Sequence, residues 1–203
     1  MSAGFLEEPP VTAEAQALFD EDVAESGYVW NVSRLWAYQP DTLENLFGLM
    51  SQAFKPSGLG FRQRGILVTA AASALGDSYC SLAWGGKLSS VSEPSLAAGV
   101  LDGSDAGLTD QEKALASWAR KIVEDPNATT PADLQVLRQA GLSDDQIFSI
   151  TVFVALRMAF STVNDALGTS PDGQLVNSLP PAVTATVTYG RPATPLPTSA
   201  AES

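Results

Sequence analysis

The sequence predicts an all-α protein, and three observations carry that expectation. Helix-start signals recur along the chain: Asp41 with Glu44, Thr109 with Glu112, and Ser143 ahead of a long apolar run. Two segments, residues 63–75 and 147–160, are apolar on most faces, as buried helices are. No alternating strand pattern of useful length is present. VTATVTY, residues 183–189, is the one β-prone run, and it lies between prolines.

Taken in order, residues 1–11 read as an N-terminal arm, because Pro9 and Pro10 end any regularity. Thr12 can cap a helix running to about Ser26 and closed by Gly27, with Ala15, Leu18, Phe19 and Val23 at helical spacing. An aromatic-rich stretch holds Tyr28, Trp30, Trp36 and Tyr38. A short helix within it, from about Asn31, must end before Pro40. The Asp41–Glu44 box opens a helix to Phe54 with Leu43, Leu46, Phe47 and Met50 as its stripe. After the central pair described below, Pro94 starts a short helix to Leu101, proline being tolerated in a first turn. Thr109 opens a helix to about Glu124, and Thr130-Pro131 opens another that ends at Gly141. Ser143 caps the long helix to Leu167, closed by Gly168. Domain organisation follows: an arm (1–11), a helical domain (12–179) and a Pro/Thr/Ala-rich tail (180–203) with little to pack, expected to be extended or disordered.

The centre is FRQRGILVTAAASALGDSYCSLAWGGKL, residues 61–88. Gly76 stands just past the first of its two helices, where a left-handed cap is usual. Asp77 and Ser78 supply N-cap chemistry for the second. Cys80, the sole cysteine, falls in that helix's first turn, where free N–H groups and the positive dipole end favour a thiolate. Asp77, three residues earlier, acts in the opposite direction by like-charge repulsion.

This stretch resembles the carboxymuconolactone decarboxylase and alkyl hydroperoxidase D-like family, whose members carry a Glu, eleven residues, Cys-x-x-Cys, three residues and a His. Laid over that pattern, Cys80 takes the place of the second cysteine. Gly65 stands at the Glu position, Asp77 at the first Cys and Trp84 at the His. The flanks AESGYVWNVSRLWAYQPDTLENLF and LTDQEKALASWARKIVEDPNATTPADLQVLRQAGLSDDQIFSITVFVALRMAFSTVNDALG look like the peroxidase-related branch. The resemblance implies an alkyl hydroperoxidase D-like helical bundle and a homo-oligomer. It also implies a peroxide-reducing oxidoreductase, or a cofactor-free lyase acting on a small organic acid. The departures at Gly65, Asp77 and Trp84 remove the standard relay. They favour a divergent member that binds a small apolar or organic-acid ligand.

Composition narrows the chemistry. With 11 Lys plus Arg against 23 Asp plus Glu, the formal charge is −12, which repels phosphate backbones and disfavours nucleic acid and anionic membrane surfaces. No uninterrupted apolar window spans a bilayer, MSAGFLEEPP lacks the marks of a signal peptide, and one cysteine fits a reducing cytoplasm. The chain has no histidine, so no Cys–His pair, no Ser–His–Asp triad and no His-based metal site can form. No cofactor is expected. Any general acid or base must be Asp, Glu, Lys, Tyr or Cys80.

Six residues are the candidates for the site. Cys80 is a nucleophile or a small buried apolar residue. Asp77 is an acid or base beside it, or only an N-cap. Trp84 shares a helical face with Cys80 and either fills the core or lines a pocket. Gly65 accommodates close helix packing or a ligand-shaped gap. Arg157 lies inside FVALRMAF, and Arg62 and Arg64 lie beside another apolar segment. A buried cation needs a partner, so Arg157 is expected to pair with a carboxylate, or else with a bound anion. Asn164 closes the last core helix and is either part of the site or of a polar stripe.

Overall fold

The computed structural model describes residues 4–196; the first three residues of the arm and the last seven of the tail lie outside the described residues. Eleven α-helices and no strand occur among the described residues. They are α1 (Ala13–Ser26), α2 (Asn31–Trp36), α3 (Pro40–Phe54), α4 (Phe61–Leu75), α5 (Ser78–Ser89), α6 (Pro94–Asp102), α7 (Asp110–Glu124), α8 (Pro131–Gln139), α9 (Asp144–Ala166), α10 (Gly173–Ser178) and α11 (Pro181–Thr186).

Helix α4 is the axis of the bundle. Its residues from Gly65 to Ala72 are all buried, and α5, α6, α7 and α9 pack around it. Gly65 lets α5 come close: a Cβ there would meet Leu88 Cδ1 at 3.3 Å, tight but not impossible. Gly76 then turns the chain with a φ of 73°, a conformation that costs glycine little. Asp77 starts α5 by accepting the Cys80 N–H at 2.9 Å. Helix α9 is the one described helix long and apolar enough to cross a bilayer. Its Ile150, Phe153 and Val154 are instead fully buried in the core, and Phe153 packs on Phe54 of α3.

Capping accounts for most boundaries. Thr109 with Glu112 and Ser143 with Gln146 form reciprocal capping boxes, each satisfying two otherwise orphaned N–H groups. At α3 the expectation needs correction. The helix begins two residues earlier, with Pro40 in its first turn and Gln39 as a cap that makes no side-chain bond, so Asp41 and Glu44 form no box. Proline's fixed φ suits that first turn and displaces the start.

The tail also needs correction. Residues 180–196 dock on the bundle rather than trailing from it, and the β-prone run opens as α11. The reason lies in α5. Gly85 and Gly86 leave a notch in which Val183 and Leu179 sit: a Cβ on Gly85 would meet Val183 Cγ1 at 2.8 Å, and one on Gly86 would clash with Leu179. Val183 is completely buried. Beyond α11, the Tyr189 hydroxyl donates to Ser81 Oγ at 3.0 Å, and the Arg191 N–H donates to Ser78 Oγ at 2.9 Å. The Arg191 guanidinium reaches the Asp165 carbonyl and lies 4.6 Å from the Phe5 ring, while the Phe5 N–H donates to the Leu167 carbonyl. The arm and the tail thus meet over the end of α9. A Pro- and Thr-rich composition hid this because few apolar side chains, Val183 and Val187 among them, anchor the segment, and the notch that receives Val183 is encoded elsewhere.

Truncation before Pro180 should therefore lower the melting temperature by about 5–10 °C, since burying each such side chain contributes about 1.5–3 kcal/mol and 1 kcal/mol shifts a domain of this size by about 2–4 °C. Gly85→Leu in the full chain should act in the same direction. An unchanged melting temperature in both would mean that the segment does not dock.

Candidate functional site

Helical spacing assembles the site from three elements. On α5, Cys80, Trp84 and Lys87 recur at one-turn intervals and share a face. From α4 comes Arg64, and α9 contributes Arg157 and Phe160, three residues apart. These six side chains line one cavity of about 380 Å³ beneath Trp30 and Tyr79. Of the residues singled out in the sequence, the cavity brings together Cys80, Trp84 and Arg157. Gly65, Asp77 and Asn164 stand behind its walls: Gly65 against Leu88, Asp77 as the α5 cap, and Asn164 accepting the Trp36 indole N–H at 2.8 Å. Trp36 in turn stacks on Phe160 with ring centroids 5.7 Å apart, so Asn164 steadies a wall of the cavity without entering it.

Arg157 is 6% exposed and contradicts the expected ion pair: no carboxylate among the described residues meets it. Its Nη2 donates to Cys80 Sγ at 3.4 Å and its Nη1 to Met50 Sδ at 3.9 Å, both weak acceptors, and its buried Nε has no partner. Arg64 is barer still. No nitrogen of it hydrogen-bonds to a described residue, and its Nε is buried. Burial, and next the charge of Arg157, lower its guanidinium from the ordinary value. Both guanidiniums lie 5.5 Å from the Trp84 ring, and the Lys87 ammonium lies 5.3 Å from it. Arg157 also lies 5.1 Å from Phe160.

Magnitudes decide what these contacts accomplish. A cation over an aromatic face gains about 0.5–2 kcal/mol. Removing a guanidinium from water costs several kcal/mol, and it cannot escape by losing its proton. The two rings over buried Arg157 therefore orient it without compensating it, whereas Arg64 is half-buried and lies over three rings, Phe54 at 5.6 Å, Phe153 at 5.4 Å and Trp84. Cations elsewhere behave differently. Arg62 meets Glu112 at 2.6 Å, Arg120 grips Asp105 at 2.8 Å, Lys121 meets Asp133 at 2.6 Å, and Arg138 meets Asp144 at 2.7 Å. Lys87, exposed at the mouth, was missed in the sequence. Its signal was the spacing from Cys80 and Trp84, which puts all three on one face.

The Cys80 thiol is 2% exposed. Its sulfur accepts from Arg157 and, at 3.5 Å, from Ser161 Oγ. Burial pushes the thiol well above its ordinary value, and the Asp77 charge adds to this; Arg157 and Ser161 pull the other way. Desolvation and the capping carboxylate therefore outweigh the helix end that the sequence suggested. A raised pKa means a neutral thiol at pH 7, so iodoacetamide labelling of Cys80 should be slow there and should accelerate only as pH rises through the alkaline range. Asp77→Asn should speed labelling and Arg157→Gln slow it, each by up to about tenfold, which corresponds to about one unit of pKa. A labelling rate already at its plateau below pH 7 would show a thiolate and contradict this.

No family model matches the sequence, and no curated protein does. Solved structures do. A peroxidase-related protein with an alkylhydroperoxidase AhpD core from Ralstonia eutropha JMP134 superposes with a TM-score of 0.76 at 21% identity, over 86% of this chain and 95% of its own. A peroxidase-related protein from Silicibacter sp. TM1040 gives 0.75 at 22% identity over the same shares, 86% and 95%. The debrominase Bmp8 gives 0.68 at 13% identity over 91% of this chain and 97% of its own. With nearly the whole length of these proteins matched by an all-helical chain, the protein has the alkyl hydroperoxidase D-like fold that its sequence resembles.

Proposed function

We propose that the protein is a divergent member of the alkyl hydroperoxidase D-like group that binds a small molecule in the Cys80 cavity and does not run a dithiol peroxidase cycle. The observation that carries this reading is the cavity itself. It is of ligand size, and around its one sulfur stand Arg157, Ser161 and Trp84 where a relay would need a second thiol and an imidazole. With no histidine and one cysteine in the chain, a sulfenic acid at Cys80 would have no resolving partner. An indole donates one hydrogen bond and accepts none, so Trp84 cannot pass a proton on.

A second reading has one observation in its favour. Arg157 donates to Cys80 Sγ, and a cation there supports a nucleophilic thiolate once a ligand has displaced water. Bmp8 has also been crystallised as a cysteine-to-alanine variant in complex with 2,3,4-tribromopyrrole. On this reading the protein is an oxidoreductase that attacks an electrophile through Cys80. Reducing cytoplasm suits either reading, because the lone thiol must stay free. Self-association belongs to the same proposal: Phe148 (72% exposed) and Val136 (54% exposed) leave apolar surface for a second copy, which light scattering at micromolar concentration would detect.

Consumption of tert-butyl hydroperoxide with dithiothreitol tests the main reading. The wild-type rate should match that of Cys80→Ser. Sustained turnover lost in Cys80→Ser would replace the binding reading with the enzymatic one.

A further inference from the structure

The cavity carries more information than its size. Two groups in it bear permanent positive charge and lack a counter-charge, in a chain whose formal charge is −12. With acidic residues in such excess, a carboxylate partner for Arg64 or Arg157 would be easy to supply, and the four described ion pairs show that it is supplied elsewhere. The two arginines also repel one another. Asp22 and Glu25 do line the same cavity, but neither serves them. Asp22 accepts the Trp30 N–H at 3.0 Å, and Glu25 acts on Lys87 at the mouth. What the arginines lack is an acceptor inside the cavity.

Resting on the reading that the Cys80 cavity binds a small molecule, we infer that its ligand is a small organic carboxylate with a flat, conjugated body, its anionic end held by Arg64 and Arg157. The guanidinium fork matches a carboxylate, and the orphaned Nε atoms of both arginines show that donor capacity is unused. The flat body follows from the walls. Aromatic side chains line them: Phe47 and Trp30 stand with Trp84 and Phe160, the rings against which the arginines lie, and the Phe47 and Phe160 centroids are 5.2 Å apart. Lys87 stands at the entrance, where it attracts the anion past Asp22 and Glu25. The ligand's body then lies near Cys80 Sγ.

The test uses the full chain and calorimetric titration with benzoate and pyrrole-2-carboxylate, each against its neutral amide, with inorganic phosphate as a further probe. At least one carboxylate should bind at micromolar to millimolar concentration, with its amide and phosphate weaker by about tenfold or more, as loss of a charge-assisted bond implies. Bound carboxylate should slow Cys80 labelling. Arg64→Gln, at a half-buried position that tolerates the change, should weaken the carboxylate about tenfold and leave the amide unchanged; Arg157→Lys should weaken it less than Arg157→Gln. Equal binding of acid and amide would overturn the anionic ligand while leaving the pocket intact. Phosphate binding more tightly than either carboxylate would overturn the flat carboxylate. Binding of none of the probes, with labelling unaffected, would overturn both this inference and the pocket on which it rests.

Discussion

Two guanidiniums against one indole set the terms for the centre of this protein. Arg64 and Arg157 each lie 5.5 Å from Trp84, and no carboxylate among the described residues forms an ion pair with either. Close packing elsewhere makes that arrangement persist. Helix α4 is buried along its middle, α9 contributes three fully buried apolar side chains, and Gly65 brings α5 near enough to present Trp84 between the two arginines. That packing keeps the Arg157 guanidinium, 6% exposed, away from solvent, and its desolvation is borne by the rest of the fold.

The same constraint explains the state of the thiol. In a relay, a cysteine at a helix start would be activated by the dipole and by an imidazole. Here Cys80 occupies the helix start, but the cap of that helix is a carboxylate and the surroundings are dry. Arg157 and Ser161 donate to the sulfur, while the Asp77 carboxylate beside it favours the protonated thiol. The described side chains around the sulfur form a cation-lined recess with a thiol in its wall.

Much of this was legible in the sequence, for identifiable reasons. The apolar runs of α4 and α9 exceed what any exposed helix carries, and Thr109, Ser143 and Gly76 mark boundaries through local hydrogen bonds and backbone conformation. The shared face of Cys80 and Trp84 follows from helical spacing. What was not legible depends on contacts between distant segments. Val183 looked like part of an unanchored tail because its receptor, Gly85, lies almost a hundred positions earlier and gives its signal only as an absent side chain. The cost of a buried charge predicts a carboxylate partner for Arg157, or else a bound anion, and only the assembled cavity shows Arg64 and Trp84 beside it. The docking of arm and tail through Phe5 and Arg191 gives no sequence signal at all.

On the proposed reading Arg64 is a charge held for a ligand rather than for the fold, and stability measures this directly. Arg64→Met keeps an unbranched apolar side chain at this position while removing the guanidinium that lies 5.6 Å from the Phe54 ring and 5.4 Å from the Phe153 ring. In denaturant unfolding of the ligand-free protein, the substitution should raise the unfolding free energy by about 1 kcal/mol or leave it unchanged, as replacement of buried charge by an apolar isostere often does. A loss of about 2 kcal/mol or more would mean that the guanidinium has a structural partner, and would contradict the account.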